Sequence, residues 1–306
     1  MDTAGVAKAL GFTGRVNGGV YQVNAPRPET IRENGMTVPA SMGLGSVMNF
    51  QPTGGGKAAI TGDFVCHSQL WLDALAELIA RYHAPVVCVL GNHDHWSGGE
   101  EVRRTLLRAG AGVLDNVHTT ITLRGERLQL VGLDDAYTGH ADWQRAVHGL
   151  RQDLPTLGLS HIAEEADHLW TAGVSLVLSG HTHAGQVTLA RLNELALGRV
   201  IGHRYIHGIY GSRAEPRPRG AVYVGAGIGA AVLPLRLGER ARREVTIFEL
   251  GAPVGSFAEH HDDQHPLPGR PPSERVQAKR IRKVEDKQAG RDRIAARKAA
   301  RGTRGE

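Results

Sequence analysis

Four short polar motifs punctuate the middle of this 306-residue chain: Gly62-Asp63, Gly91-Asn92-His93-Asp94, Ser160-His161 and Gly180-His181-Thr182-His183. Each closes an apolar, strand-like run. Ligand sites in open α/β sheets gather in the loops beyond the strand carboxyl ends. Four such strands would bring one Asp, one Asn and four His to one place. A carboxylate, an amide oxygen and imidazoles form a donor set suited to Mn, Fe or Zn, with no thiolate required. The glycines before Asp63, Asn92 and His181 let the backbone turn tightly after each strand. His181 and His183 face opposite sides of an extended segment. They serve two neighbouring metals, or a turn folds them together.

Taken singly, the motifs differ in weight. Gly-Asp is a common turn and says nothing alone. A lone His at a strand end, such as His161, is more often a satisfied polar residue than a ligand. Gly-Asn-His-Asp directly after a buried strand is harder to explain by packing, and Gly-His-Thr-His harder still. The ordered set of four makes coincidence the minority reading.

The elements that must position these residues alternate. Leu72, Leu75, Ala76, Leu78 and Ile79 give Leu70–Tyr82 a helical period. Val86–Leu90 is a buried strand, and Glu101–Ala109 a second helix. Thr119–Leu123 and Arg127–Val131 flank a turn, as in a hairpin. Leu157–Ser160 and Val174–Leu178 are short strands on either side of a helix at Glu164–Trp170. Later strands are expected at Gln186–Leu189, Ala221–Val224 and Glu244–Leu250. Strands alternating with helices predict a layered α/β domain. Residues 1–57 have weak periodicity and no recognisable first strand. The body spans 58–250. Residues 251–306 form a polar linker, with His260, His261 and His265 read as solvated, and a basic tail.

Apolar residues make up 41% of the chain, ordinary for a globular protein. No run approaches the ~18–20 apolar residues that span a bilayer, and the first residues lack a secretory pattern. The expected location is cytoplasmic, at most peripheral at a membrane. Two cysteines, Cys66 and Cys88, make no disulfide framework. Between Arg270 and Glu306 there are 13 Lys and Arg against 5 Asp and Glu, so the tail carries +8 of a chain total of +5. Such a tail reads as solvated and disordered, with weak contact to an anionic membrane or nucleic acid as the alternative. It has no aromatic residue for base stacking.

The ordered G-D, G-N-H-D, H and G-H-T-H set resembles the metallophosphoesterase (calcineurin-like phosphoesterase) superfamily over roughly Ala58 to Leu250. The runs Val131–Asp135, Gly180–Gln186 and Leu233–Arg236 are similar to a bacterial phosphohydrolase branch whose members are often membrane-associated. The resemblance implies a four-layer α-β-β-α sandwich of two mixed sheets, with the basic tail disordered beyond it. It implies two divalent metals (Mn, Fe or Zn), with Asp63 bridging them, Asn92, His161 and His181 on the second, and His183 on the first. It makes His93 the general acid, with Asp94 orienting it. The activity implied is hydrolysis of phosphoester or phosphoanhydride bonds by metal-bound hydroxide. The substrate would be a phosphorylated small molecule or lipid head group, and no protein partner is predicted.

One part of the family pattern is missing. A D-x-H motif opens the first strand in the family, but here the only Asp before Asp63 is Asp2 and the first His is His67. The first metal keeps only Asp63 and His183, where three or four protein ligands are usual. The favoured explanation is a misread or truncated start replacing the true first strand. The others are a mononuclear or degenerate relative acting as a binding protein, and substitution by His67.

Overall fold

The computed structural model describes residues 3–10, 13–17, 20–26, 32–33, 36–37, 45–54, 57–61, 69–70, 72–123, 125–186, 197–198, 201–211, 220–227 and 264–302, with isolated positions between 188 and 248. Asp63, Cys66, His67, His260 and His261 lie outside the described residues, as does most of the strands expected at Gln186–Leu189 and Glu244–Leu250.

The chain opens with helix α1 (Thr3–Leu10) and then strands β1 (Arg15–Asn17), β2 (Val20–Pro26), β3 (Arg32–Glu33), β4 (Met36–Thr37), β5 (Gly45–Gly54) and β6 (Lys57–Thr61). Helix α2 (Leu72–Ala80), strand β7 (Val87–Cys88), helix α3 (Asn92–Arg108) and strand β8 (Gly112–Val113) follow. Next come β9 (Val117–Leu123), β10 (Glu126–Gly132), α4 (Trp143–Val147), β11 (Thr156–Leu159), α5 (Ala166–Thr171) and β12 (Leu176–Ser179). The last elements are β13 (Gly208–Tyr210), β14 (Ala221–Val224) and α6 (Glu274–Gly302).

A six-stranded sheet in the order β13-β14-β12-β11-β10-β9 is the backbone of the α/β body. Its central strands β10, β11, β12 and β14 run parallel, and both edge strands are antiparallel. Central strands are covered on both faces and so read as continuous apolar runs. Accordingly Val131, Val177, Val222 and Val224 are fully buried, packed with Leu169, Ala163 and Ala166. A second core joins Leu72, Leu75 and Ile79 of α2 to Val102 and Leu106 of α3, Leu90 and Val113. Strands β7 and β8 form a parallel pair at this second core. The pair meets the large sheet at Gly132, where a Cβ would stand 2.1 Å from Leu114 Cβ and 3.0 Å from Val89 Cγ1. Only a bare backbone fits between the two layers there.

The chain is mixed α/β, as expected, and the internal elements fall where their periodicity placed them. Three regions differ. First, β1, β2, β5 and β6 form their own antiparallel sheet. Strand β6, which precedes Asp63 in the sequence, pairs antiparallel with β5, and among the described residues it has no parallel neighbour.

Second, α3 begins at Asn92, nine residues earlier than its apolar period suggested. Gly91 is its N-cap, and the Asp94 carboxylate closes the cap by accepting the Gly91 N–H at 2.8 Å. The early turn kinks at Gly98 (φ 112°), a backbone conformation for which glycine is suited.

Third, the basic tail expected to be disordered is the 29-residue helix α6, lying against α3. Its Ala, Arg, Lys and Gln residues are strong helix formers. Its docking partners belong to other segments: Lys283 lies 3.3 Å over the Trp96 ring and Arg280 3.8 Å over Tyr137. Arg291 donates to the Trp96 carbonyl at 2.6 Å. Cation–π contacts are each worth ~0.5–1 kcal/mol at exposed sites, and charge counting along the tail does not reveal them. The linker is also held, because Gln264, Leu267 and Arg270 donate their N–H groups to the carbonyls of Ile209, Arg204 and Gly202.

Candidate metal centre

Three side chains from three strand ends converge. Asn92 sits after β7 at the start of α3 and is 3% exposed. Its Oδ1 lies 3.0 Å from His161 Nε2, just beyond β11. His181 Nδ1, just beyond β12, lies 3.0 Å from the same His161 nitrogen. One imidazole nitrogen therefore faces two other donor atoms, and it has a single hydrogen or lone pair to offer them. A shared cation removes that conflict. Donors bound at ~2.1 Å to one ion and about 90–109° apart stand roughly 3.0–3.4 Å from each other. Asn92, His161 and His181 thus have the spacing of one edge-sharing ligand set, and their chemistry fits a divalent metal. Among the described residues no three His, Cys, Asp or Glu side chains form such a group. The trio is two imidazoles and an amide, and the expected carboxylate, Asp63, lies outside the described residues.

Backbone geometry holds this arrangement. Gly91 is pressed on the His161 ring, where a Cβ would stand 2.8 Å from Cε1 and 2.9 Å from both ring nitrogens. Ser160 fixes its strand end by donating to the Ile162 carbonyl at 2.8 Å. The Gly180–Gln186 turn places His181 (φ 69°), His183 (φ 52°), Ala184 (φ 55°) and Gln186 (φ 57°) in the left-handed region. Each such residue costs on the order of 1 kcal/mol or more, and clusters of them mark functional sites. Thr182 anchors the turn by a short hydrogen bond to the Ile206 carbonyl.

Electrostatics keep the His181 imidazole neutral. Burial lowers its pKa well below the usual value, and repulsion from His161, His203, His183 and His93 lowers it further. A neutral ring is the ligand form of histidine. Those four histidines surround His181 closely enough for mutual repulsion. His93 also packs on Trp96, with ring centres 4.8 Å apart. His183 Nδ1 faces Arg236 Nη2 at 3.3 Å, and Arg236 is itself anchored to the Ala226 and Ala241 carbonyls. The Asp94 carboxylate caps α3 at Gly91, and so helps to place Asn92 and His93.

Several neighbours carried no sequence signal. His203 lies 5.4 Å from the His181 ring and pairs with Glu164 at 3.2 Å. Burial opposes ionisation of Glu164, but the hydrogen bond and charge of His203 together with backbone N–H groups outweigh it and lower the carboxyl pKa. Tyr137 packs 5.1 Å from the His181 ring. His95 pairs with Asp134 at 2.7 Å and stacks on His140, with ring centres 3.9 Å apart. Arg236 and Asp134 lie inside runs already singled out, so a polar residue within an otherwise apolar family-like run was the available signal. His203 and Tyr137 offered none.

The calcineurin-like phosphoesterase family profile matches residues 55–185. Residues 4–98 match a Domain of Unknown Function (DUF1259), which covers the antiparallel N-terminal sheet. The chain is 31% identical over 196 residues to the uncharacterized metallophosphoesterase YkuE of Bacillus subtilis (strain 168), covering 62% of this chain and 66% of that one. It is 32% identical over 172 residues to the phosphodiesterase YaeI of Escherichia coli (strain K12), covering 55% and 58%. It is 30% identical over 169 residues to a transmembrane protein with metallophosphoesterase domain from Bos taurus, covering 50% and 36%. The chain thus spans less than two thirds of the length of each of these relatives. Among the described residues no helix is long and apolar enough to cross a membrane. The strand-end histidines and the matched segment together support assigning residues 55–185 to the metallophosphoesterase superfamily.

Proposed function

We propose that this protein is a metal-dependent hydrolase of phosphoester or phosphoanhydride bonds. The observation that carries the reading is the 3.0 Å convergence of Asn92 Oδ1, His161 Nε2 and His181 Nδ1. These three, with Asp63, would hold one divalent ion, and Asp63 with His183 would hold a second. A metal there supplies Lewis acidity to a phosphoryl group and to water. The chain's own residues do the rest. Asn92 and His161 fix the ligand edge, and Gly91 and the capped start of α3 keep His161 from tilting away. His93 follows Asn92 on the first turn of α3, and its ring would protonate the leaving oxygen. Such a proton transfer contributes typically ~10²–10⁴-fold. Arg236 sets a positive charge beside His183, suited to a phosphoryl oxygen. The substrate class is a phosphorylated small molecule or a lipid head group.

The test is hydrolysis of bis(p-nitrophenyl) phosphate by the purified chain with Mn, Fe or Zn added, set beside His181→Ala. Metal-dependent turnover that disappears in the variant supports the reading. Turnover equal in both proteins would overturn it. A second reading rests on the missing D-x-H motif: a catalytically weak relative that binds a metal and a phosphorylated ligand. Metal binding without turnover would favour it.

A further inference from the structure

Helix α6 brings two cations to the rim of the candidate metal centre. Arg280 Cζ lies 3.8 Å over the Tyr137 ring, and Tyr137 lies 5.1 Å from the His181 ring. Lys283 Nζ lies 3.3 Å over the Trp96 ring, and Trp96 lies 4.8 Å from the His93 ring. One aromatic ring thus separates each cation from a site histidine. The helix is held in register on either side of this pair. Gln277 donates to the Ala136 carbonyl at 3.3 Å, and Arg291 to the Trp96 carbonyl at 2.6 Å.

Packing alone does not call for charges here. Apolar side chains would cover Trp96 and Tyr137 without desolvating an ammonium group. Lys283 bears that cost: burial lowers its pKa, and Lys287 lowers it further. A stacked cation is held more weakly than one in charge-assisted hydrogen bonds to a phosphate. Both side chains are long and flexible, so each can leave its ring for an anion arriving at the rim.

We propose that Arg280 and Lys283 bind the non-scissile phosphate of a substrate bearing two linked phosphoryl groups. This rests on the phosphoesterase reading for the scissile group. It makes α6 a specificity element for diphosphodiesters over simple phosphoesters.

The experiment compares the unchanged protein with Arg280→Gln/Lys283→Gln, which keeps the aliphatic stems, and with the charge-retaining swap Arg280→Lys/Lys283→Arg. The substrates are a nucleoside diphosphate sugar, with two phosphoryl groups, and bis(p-nitrophenyl) phosphate, with one. The expected result is a KM for the diphosphodiester raised about tenfold or more in the Gln variant, the size of one lost charge-assisted contact or more. Its kinetics on the monophosphate diester stay unchanged, and the swap largely restores the KM. Arg293→Ala, on the same helix and bonded to its own turn at Ala289, serves as the control and leaves both substrates unaffected. Equal changes on both substrates, or none, would overturn the proposal. A parallel titration reads binding of inorganic pyrophosphate against orthophosphate. The unchanged protein should prefer pyrophosphate, and the Gln variant should lose the preference. If the chain hydrolyses neither ester, the phosphoesterase reading falls, and the titration still decides the role of α6. A preference that survives in the Gln variant, or is absent from the start, would refute it.

Discussion

Two regions of the molecule that carry site motifs are built on different principles. His161 and His181 extend from β11 and β12, neighbouring parallel strands in the middle of a six-stranded sheet. Their spacing follows from strand pairing, which sets neighbouring strands ~4.8 Å apart. Asn92 joins them through a capped helix start. By contrast, β6, the strand that precedes Asp63 in the sequence, belongs to a separate antiparallel sheet shared with the N-terminal segment. The segment preceding the matched family region is itself similar to a different domain. A metal site inherits its precision from the sheet beneath it. Here the imidazoles follow paired central strands, and β6, which precedes Asp63, pairs with β5 of the other sheet.

The largest expected effect lies on the sheet-backed side. His181→Ala should lose bound metal and bring hydrolysis of every substrate to background, read by metal content and steady-state rates. Asp63→Ala should do less damage to metal binding than His181→Ala, and an equal loss would erase the distinction between the two regions. Next comes His93→Ala. It should leave metal content nearly unchanged and slow esters with poor leaving groups by roughly 10²–10⁴-fold, with much smaller losses on aryl phosphates. Loss of metal in this variant would make His93 a ligand instead.

Gly91→Ala sharpens the same contrast from the backbone. Its Cβ would collide with the His161 ring at 2.8 Å. Overpacking of this kind costs typically ~1–3 kcal/mol. The variant should unfold at a lower denaturant midpoint and bind metal more weakly. Wild-type metal affinity in Gly91→Ala would show that His161 is not held against the chain there.

How much of this was legible in the sequence depended on distance along the chain. Strand ends carrying Gly-Asn-His-Asp and Gly-His-Thr-His were readable because the apolar run and the polar motif are contiguous. Helix α3 was placed late because its first turn is polar: the cap between Gly91 and Asp94, not an apolar period, starts it. The sheet identity of β6 could not be read, since pairing partners are set by tertiary contacts and the five residues Lys57–Thr61 suit either sheet. The helix of the tail was hidden by its charge. Composition favours solvation, but Trp96 and Tyr137, some 140–190 residues away in sequence, provide rings for its cations. His203 was missed because its relation to His181 exists only in the folded chain.

The smallest effect concerns pH. Burial lowers the His95 pKa, but the hydrogen bond and charge of Asp134 outweigh it, and the net shift is upward. Burial likewise opposes ionisation of Asp134, yet His95 brings its pKa down overall. A raised histidine pKa contributes stability that is fully present below the unfolded value of ~6.5 and is lost as pH rises through the folded value. The lowered Asp134 pKa contributes stability present above ~3.8–3.9 and lost as pH falls through its folded value. The pair should therefore be strongest between these limits. His95→Gln should lower Tm by a few degrees near pH 5–6 and by less at pH 8–9. A difference independent of pH would remove the charged pair from the account.

The central claim is that the sheet-backed side holds a divalent metal, and metal content tests it most directly. Elemental analysis of the purified chain, loaded with Mn, Fe or Zn and then desalted, should find bound metal that is lost in both His161→Ala and His181→Ala while the fold persists by circular dichroism. Metal retained in both variants, or none bound by the unchanged chain, would contradict the account.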